Sequence, residues 1–384
     1  MAKIDRLRLG IIFNFDPGWM GGIIYILNIV RVLNFLEDKD KPQVFLFYDT
    51  KLERFLHEMS YPYLEKVQWE FIPEHKGFAL SILRRKNVFI SDMLYKYKLD
   101  ALFPNFNYPL NRKSDKKAVS WAADLQHRHY PEFFSKRKRM ERNLRISFML
   151  KNASDLVVSS QSVKDDFFKF FKIPGSINIH IYHFVSVIGE LPDTDLSSIR
   201  STYNIPEDYY LISNQFHKHK NHKVAFKALA ELKKKGKNIH FAVTGKFPEK
   251  PNSEYVQELH DIITEYDLKG NISFLGLIPR GDQLLLMKYA QAILQPSLFE
   301  GWSTVIEDAI SLQVPVIASN LPVNIEQLQD KGTYFEAHDY LALAEILCSF
   351  PSRDYNDNIY EEYEVRMKKA AYEFMNIFND TLPA

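Results

Sequence analysis

At 384 residues the chain is long enough for two domains, each burying its own core. Its 46% hydrophobic, 25% charged and 14% aromatic residues exclude a disordered polymer, and the lone Cys348 excludes an internal disulfide or a cysteine-based zinc site and points to a reducing, cytoplasmic compartment. The net charge of +1 hides an asymmetry: residues 1–186 carry 30 Lys and Arg against 20 Asp and Glu, and residues 187–384 carry 19 against 28, so the first half is suited to an anionic membrane surface or a phosphate-bearing acceptor ahead of nucleic acid.

In chain order, "MAKIDRLRLGIIFNFD" has too short an apolar run for a signal-peptide core and reads as a first strand, Leu9–Phe15. No run reaches the roughly 18 to 20 apolar residues of a membrane span. Gly21 and Gly22 follow and open a helix over Ile23–Leu36, a place where backbone can approach a ligand closely; plain turn glycines are the alternative reading. The spacing is not G-x-G-x-x-G, which counts against an oxidoreductase. Further strands are predicted at Gln43–Tyr48, Ala101–Pro104, Lys117–Ala122 and Leu156–Ser159, with helices at Lys138–Asn152 and Ser162–Phe171, the alternation of a parallel α/β sheet. The strand ending at Trp121 or Ala122 delivers Asp124, His127 and His129 to the ligand side, where a histidine could support charge or bind a sugar hydroxyl; each also reads as an ordinary structural histidine. The basic run Lys136–Arg145 reads as a solvated helix face or as a contact for anionic lipid heads. The triplets Asp38-Lys39-Asp40 and Asp193-Thr194-Asp195 sit in polar connectors, so a divalent-metal role is not assigned to them.

The polar stretch 190–210 separates the halves, with a boundary near residue 187: a first domain over 1–186, a second over 187–350, and a charged, Tyr-rich helical tail over 351–384 packing back on a neighbouring domain through Tyr363, Met367, Ala371 and Phe374. The second domain alternates strands at Tyr210–Asn214, His240–Thr244, Ile272–Leu275, Ala292–Gln295 and Val316–Ala318 with helices at Lys223–Lys235, Glu254–Tyr266, Gly281–Ala290 and Thr304–Leu312. In "LISNQFHKHKNHKVAFKAL" a strand runs into Lys218, Lys220 and Lys223, ammonium groups able to neutralise a diphosphate. The interleaved lysines count against a metal cluster of His217, His219 and His222, and no metal is required if cations and amides carry the leaving-group charge. In "QPSLFEGWSTVIEDA" Ser303 or Thr304 caps a helix, the amides of Trp302 to Thr304 face a strand-end crevice, and Glu300 and Asp308 can accept hydroxyl hydrogen bonds from a sugar and a ribose. Acids that merely favour a helix start are the competing reading.

The segment "PSLFEGWSTVIEDAISLQVPVIAS" resembles the nucleotide-sugar site of family 4 glycosyltransferases, whose pattern is E-G-F-G-x-x-x-x-E-A. Glu300 matches the first acid and Asp308 falls on the second, one methylene shorter, with Glu307 beside it as a possible sharer of the ribose. Lys220 matches the pyrophosphate-binding lysine, whereas the family's arginine position is Gln215, with Lys218 or His217 as compensating groups. Asp124, Leu125, Pro131 and Glu132 match a further motif whose histidine position is Ala123, so His127, and secondly His129, is assigned its role. The Gly21–Gly22 loop is similar to the family's first loop, which contacts phosphate and acceptor. The resemblance implies a GT-B fold, two Rossmann-like domains with parallel sheets facing a central cleft. It implies a retaining, metal-independent hexosyl transfer from a nucleotide diphosphate sugar, without cofactor, to a glycan or lipid-linked acceptor, as in polysaccharide or cell-envelope synthesis. Lys220 and the Gly301–Thr304 turn would then hold the donor, with Glu300, His127 and Lys220 as the reactive set. An inactive sugar-nucleotide-binding protein and a sugar-nucleotide epimerase remain alternatives. A cytoplasmic location is expected, with docking at the inner face of the cytoplasmic membrane through the basic half.

Overall fold

A computed structural model describes residues 5–84, 86–105, 117–251 and 253–379. Contacts divide the chain into two units, Met1–Val185 with Tyr363–Ala384, and Ser186–Glu362. Residues 351–362 thus stay with the second unit, and the helix Tyr363–Asn379 with the first.

Among the described residues, the first unit contains seven strands: β1 (Arg8–Phe13), β2 (Gln43–Tyr48), β3 (Leu64–Gln68), β4 (Ala101–Asn105), β5 (Lys117–Ala122), β6 (Asp155–Val158) and β7 (Asn178–Ile181). All pairings are parallel, in the order β3-β2-β1-β4-β5-β6-β7. The second unit contains β8 (Tyr210–Ser213), β9 (Phe241–Thr244), β10 (Ile272–Gly276), β11 (Ile293–Gln295), β12 (Val316–Ser319) and β13 (Thr333–Phe335), parallel in the order β10-β9-β8-β11-β12-β13. Each sheet therefore starts in its middle and winds outward in both directions, the Rossmann-like arrangement.

The reason lies in the strand sequences. Short runs such as Tyr210–Ser213 and Phe241–Thr244 are buried at every position, as a strand covered on both faces must be. Alternate side chains enter different cores. Tyr210, Ile212, Phe241, Val243 and Leu294 pack with the helices His222–Lys234 and Glu254–Glu265. Leu211, Ala242, Ile293 and Val316 pack with Arg280–Lys288 and Thr304–Ser311. The result is a three-layer sandwich in each repeat of the pattern.

Three strands are absent from the sequence reading: β3, β7 and β13. All lie at sheet edges, and β3 (LEKVQ) and β7 (NIHI) have few or no buried positions, so the apolar signal that reveals a central strand is missing. The stretch read as an irregular connector contains a helix, Leu196–Tyr203, capped by Asp195, whose carboxylate accepts from the Ser198 amide at 3.1 Å. In the other triplet, Asp38 pairs with Arg6 at 2.8 Å and accepts from the Tyr63 hydroxyl at 2.6 Å.

Candidate functional site

A doubly wound sheet leaves a crevice at the carboxyl ends of the two adjacent strands from which the chain winds in opposite directions, here β8 and β11. The side chains that follow those strands form one polar network. Asn214, just past β8, donates from Nδ2 to Oε1 of Gln295 at 2.9 Å, joining the two strand ends. Gln295 then donates from Nε2 to Ser297 Oγ at 3.2 Å and to Glu300 Oε1 at 2.8 Å. Lys220 closes the network, its Nζ 2.6 Å from the same Glu300 oxygen, with side chains only 19% and 9% exposed.

Local structure explains how Lys220 arrives there. Residues Lys218–Lys220 form a tight turn, and Asn221 ends it with φ of 53°, a left-handed conformation that Asn tolerates better than most residues. Asn221 donates from its side-chain Nδ2 to the carbonyls of Pro296 at 3.0 Å and Ala337 at 2.7 Å, and the Leu298 backbone amide donates to the His219 carbonyl at 2.7 Å. The lysine turn and the glutamate loop are thereby tied to each other. On the neighbouring strand end, Gly245 has φ of +96°, and a Cβ there would lie 2.6 Å from the Asn214 carbonyl oxygen. Only glycine lets β9 end so close to β8. This position was missed from sequence; a glycine directly after the strand FAVT was its one signal.

Electrostatics follow from burial. Burial alone would raise the Glu300 carboxyl, but the Lys220 charge, the Lys220 hydrogen bond and one from Ser297 outweigh it and hold the group below the ordinary carboxylate range. It is an anion at neutral pH. His219 is pushed down to about 4 and His222 to about 3, in both cases by burial first and the Lys220 charge second. Burial, then Lys220, also lowers His217. These rings are neutral: His222 is fully buried and stacks on Phe216 with centroids 4.3 Å apart, while His217 and His219 stack on each other at 5.7 Å. Among the described residues, no group of three or more His, Cys, Asp or Glu could hold a metal ion.

The remaining acids correct the expectation of two carboxylates open to hydroxyls. Asp308 is 1% exposed, ion-paired with Arg280 and hydrogen-bonded by the Ser186 hydroxyl. Glu307 is also buried; its Oε1 accepts from Trp302 Nε1 at 3.1 Å and Gln327 Nε2 at 2.8 Å. The reason is position: both lie on the inward side of Thr304–Ser311, where an unpaired charge could not be buried. The Ser303 amide is also taken, donating to Gln327 Oε1 at 3.2 Å, while Ser303 Oγ accepts from the Ile306 amide at 3.3 Å. Thus the Trp302–Thr304 amides are not three open donors. Arg280, Ser186 and Gln327 were missed because each reaches its acid from a separate element, 20 to 122 residues away. Gln215, at the expected arginine position, is exposed, as is Lys218.

In the first unit, Gly21 and Gly22 lie in the first turn of the helix Met20–Val32. A Cβ on Gly22 would stand 2.6 Å from the Trp19 ring, so the close approach at that glycine is made by an indole of the same chain. Trp19 stacks on Trp121, and Trp121 on Tyr25, with centroids 5.9 and 4.4 Å apart. Asp124 accepts from the Gln126 amide at 2.9 Å, a local turn bond. His127 is 2% exposed, its Nε2 3.0 Å from Asn143 Oδ1, which corrects the expectation of a histidine presented at an open strand end: the short helix Gln126–His129 turns it inward. His129 stays exposed, with Nε2 2.7 Å from Asp166.

Residues 197–374 match the family model described as Glycosyl transferases group 1. An alpha-1,3/1,6-mannosyltransferase, ALG2 of Saccharomyces cerevisiae, is 26% identical over 199 residues, covering 45% of this chain and 40% of that protein. The chain spans about half the length of the curated relatives it matches. Among solved structures, sucrose-phosphate synthase from Thermosynechococcus elongatus superposes with a TM-score of 0.66 at 16% identity, over 98% of this chain and 97% of that one. HepE of Anabaena, in complex with UDP-glucose, superposes with a TM-score of 0.62 at 16% identity, over 97% and 98%. Two parallel-sheet Rossmann-like domains and these neighbours give the chain the GT-B fold.

Proposed function

We propose that the protein is a retaining glycosyltransferase of the family 4 type, moving a hexose from a nucleotide diphosphate sugar to a glycan or lipid-linked acceptor without a metal ion or other cofactor. The observation that carries this reading is the buried Lys220–Glu300 pair at the switch point of the second sheet, inside the segment that matches group 1 glycosyl transferases. Breaking the bond between the anomeric carbon and the diphosphate places growing negative charge on the leaving oxygens. A cation already held in a low-dielectric crevice stabilises that charge without reorganising. Without substrate, Lys220 and Glu300 neutralise one another; a diphosphate would draw the ammonium away and leave a Glu300 oxygen for a sugar hydroxyl. Gln295 and Ser297 keep that carboxylate in place meanwhile. The UDP-glucose complex of HepE and the mannosyltransferase activity named for ALG2 support a nucleotide sugar as donor and a hexose as cargo. Acceptor binding falls to the first unit, together with peripheral contact to anionic lipid from the cytoplasmic side.

A second reading, a sugar-nucleotide-binding protein without turnover, is favoured by Asp308, whose engagement with Arg280 and Ser186 ties up the acid assigned to the ribose. Nucleoside diphosphate release, followed over a panel of nucleotide sugars and acceptors, separates the two. Under the transferase reading, release occurs and falls by about 100-fold or more in Lys220→Ala and in Glu300→Ala. Donor binding with no release from any acceptor would support the inert binder, and an isomerised sugar formed without acceptor would identify an epimerase.

A further inference from the structure

A pocket of about 590 Å³ opens in the first unit, beside the start of the helix Lys136–Asn152, and nothing in the donor chemistry uses it. Its lining includes His127, Arg128, Lys136 and Arg139, with no Asp or Glu. Glu132, beside Pro131 of the lining, is exposed, and three other acids nearby are engaged elsewhere. Asp166 pairs with His129 at 2.7 Å, Glu141 with Arg145 at 3.7 Å, and Asp124 lies 4.0 Å from Arg142. Three buried nitrogens of the lining have no hydrogen-bond partner in the protein: Nδ1 of His127 and Nε of both Arg128 and Arg139. Arg128 is held in place all the same, one terminal nitrogen donating to the Phe170 carbonyl at 3.1 Å and its guanidinium lying 5.2 Å from the ring centres of Phe170 and Phe171. Buried polar groups are almost always paired, so three unpaired nitrogens on side chains that line one cationic hollow set these residues apart from ordinary packing.

We propose that this pocket binds a phosphoryl group, carried on a larger molecule, through Arg128, Lys136 and Arg139 with the His127 ring at its base. Guanidinium forks match phosphate oxygens geometrically, and Lys136 adds a point charge at the mouth. The volume exceeds what one phosphate fills and falls within the range of small-molecule sites, and the exposed Met140 beside it offers apolar surface to the rest of the ligand. The site rests on its own residues and does not depend on the donor reading. A soluble phosphate ester and a lipid headgroup present the same chemistry to it.

The test follows the His127 ring signals by NMR in the full chain. Glycerol 3-phosphate is titrated in one arm, and vesicles of phosphatidylglycerol in phosphatidylcholine are added in the other, against pure phosphatidylcholine. The expected result is a saturable His127 shift in at least one phosphate arm, weakened about 10-fold or more in the double variant Lys136→Gln, Arg139→Gln and in the exposed single variant Lys136→Glu. A response to the ester identifies a soluble ligand; a response to the anionic vesicles alone identifies a headgroup. Lys220→Ala should leave the response unchanged, so loss of donor turnover and loss of this site are read separately. No His127 shift in either arm, or shifts of equal strength in the charge variants, would overturn the proposal.

Discussion

The two units end their central strands in opposite chemical styles. Past β8 and β11 the second unit assembles a continuous polar chain, Asn214 to Gln295 to Glu300 to Lys220. At the corresponding end of the first unit, Trp19 stacks on Trp121 and Trp121 on Tyr25, Asp124 accepts from a neighbouring backbone amide and His127 turns inward to Asn143. Both sheets wind outward from their first strand in the same order, the first with one more strand, so the backbone does not choose between these outcomes. The loop residues do: a charged network gives direction and electrostatic force in a dry crevice, whereas an aromatic stack gives shape and dispersion with little charge.

The contrast can be broken from either side. The largest effect is expected for Trp121→Ala, which removes a 6% exposed ring packed between two others; about 3–5 kcal/mol of stability should be lost, read by chemical denaturation, and a loss under 1 kcal/mol would show that the stack does not hold the first unit. Gly245→Ala strikes the polar side. A side chain at φ of +96° pressed against the Asn214 carbonyl should cost about 1–3 kcal/mol and lower donor affinity, checked by denaturation and calorimetry; unchanged affinity would separate the β9 end from the donor site.

The effect that is smallest at neutral pH is that of His222, which grows only as the solution is acidified. His222 has a folded pKa lowered by burial to about 3, so the unfolded chain binds the extra proton as pH falls below the ordinary histidine value. The stability that the neutral ring confers is fully present above about pH 6.5 and is lost as pH drops from there toward about 3, with a slope near 1.4 kcal/mol per pH unit. His222→Phe, which keeps the stack on Phe216, should flatten the pH dependence over that window by about that slope. A variant with the same pH profile as the parent chain would place the acid sensitivity elsewhere.

Much of the fold was legible because its signals are local. The helices predicted at Glu254–Tyr266 and Thr304–Leu312 are found at Glu254–Glu265 and Thr304–Ser311, since capping serines and apolar periodicity act within a turn or two. Lys220 and Glu300 could be singled out because each lies in the loop after a strand that reads as buried and each matches a motif of the family that the sequence resembles, and strand ends in such sheets meet at one edge. The pairing of Asp308 with Arg280 and Ser186, the clamp of Gln327 on Glu307 and Ser303, and the inward turn of His127 could not be read in this way.

The amino-acid order by itself determined the alternation of strand and helix, the two sheets and the loops that carry cations and acids, because burial on both faces and helix periodicity are written in neighbouring residues. Only the tertiary structure decided what each of three nearby acids pairs with: Glu300 with Lys220 and Gln295, Glu307 with Trp302 and Gln327, Asp308 with Arg280 and Ser186. That choice depends on partners brought from distant elements and on the cost of leaving a buried charge unpaired, and neither quantity exists until the sheet has closed.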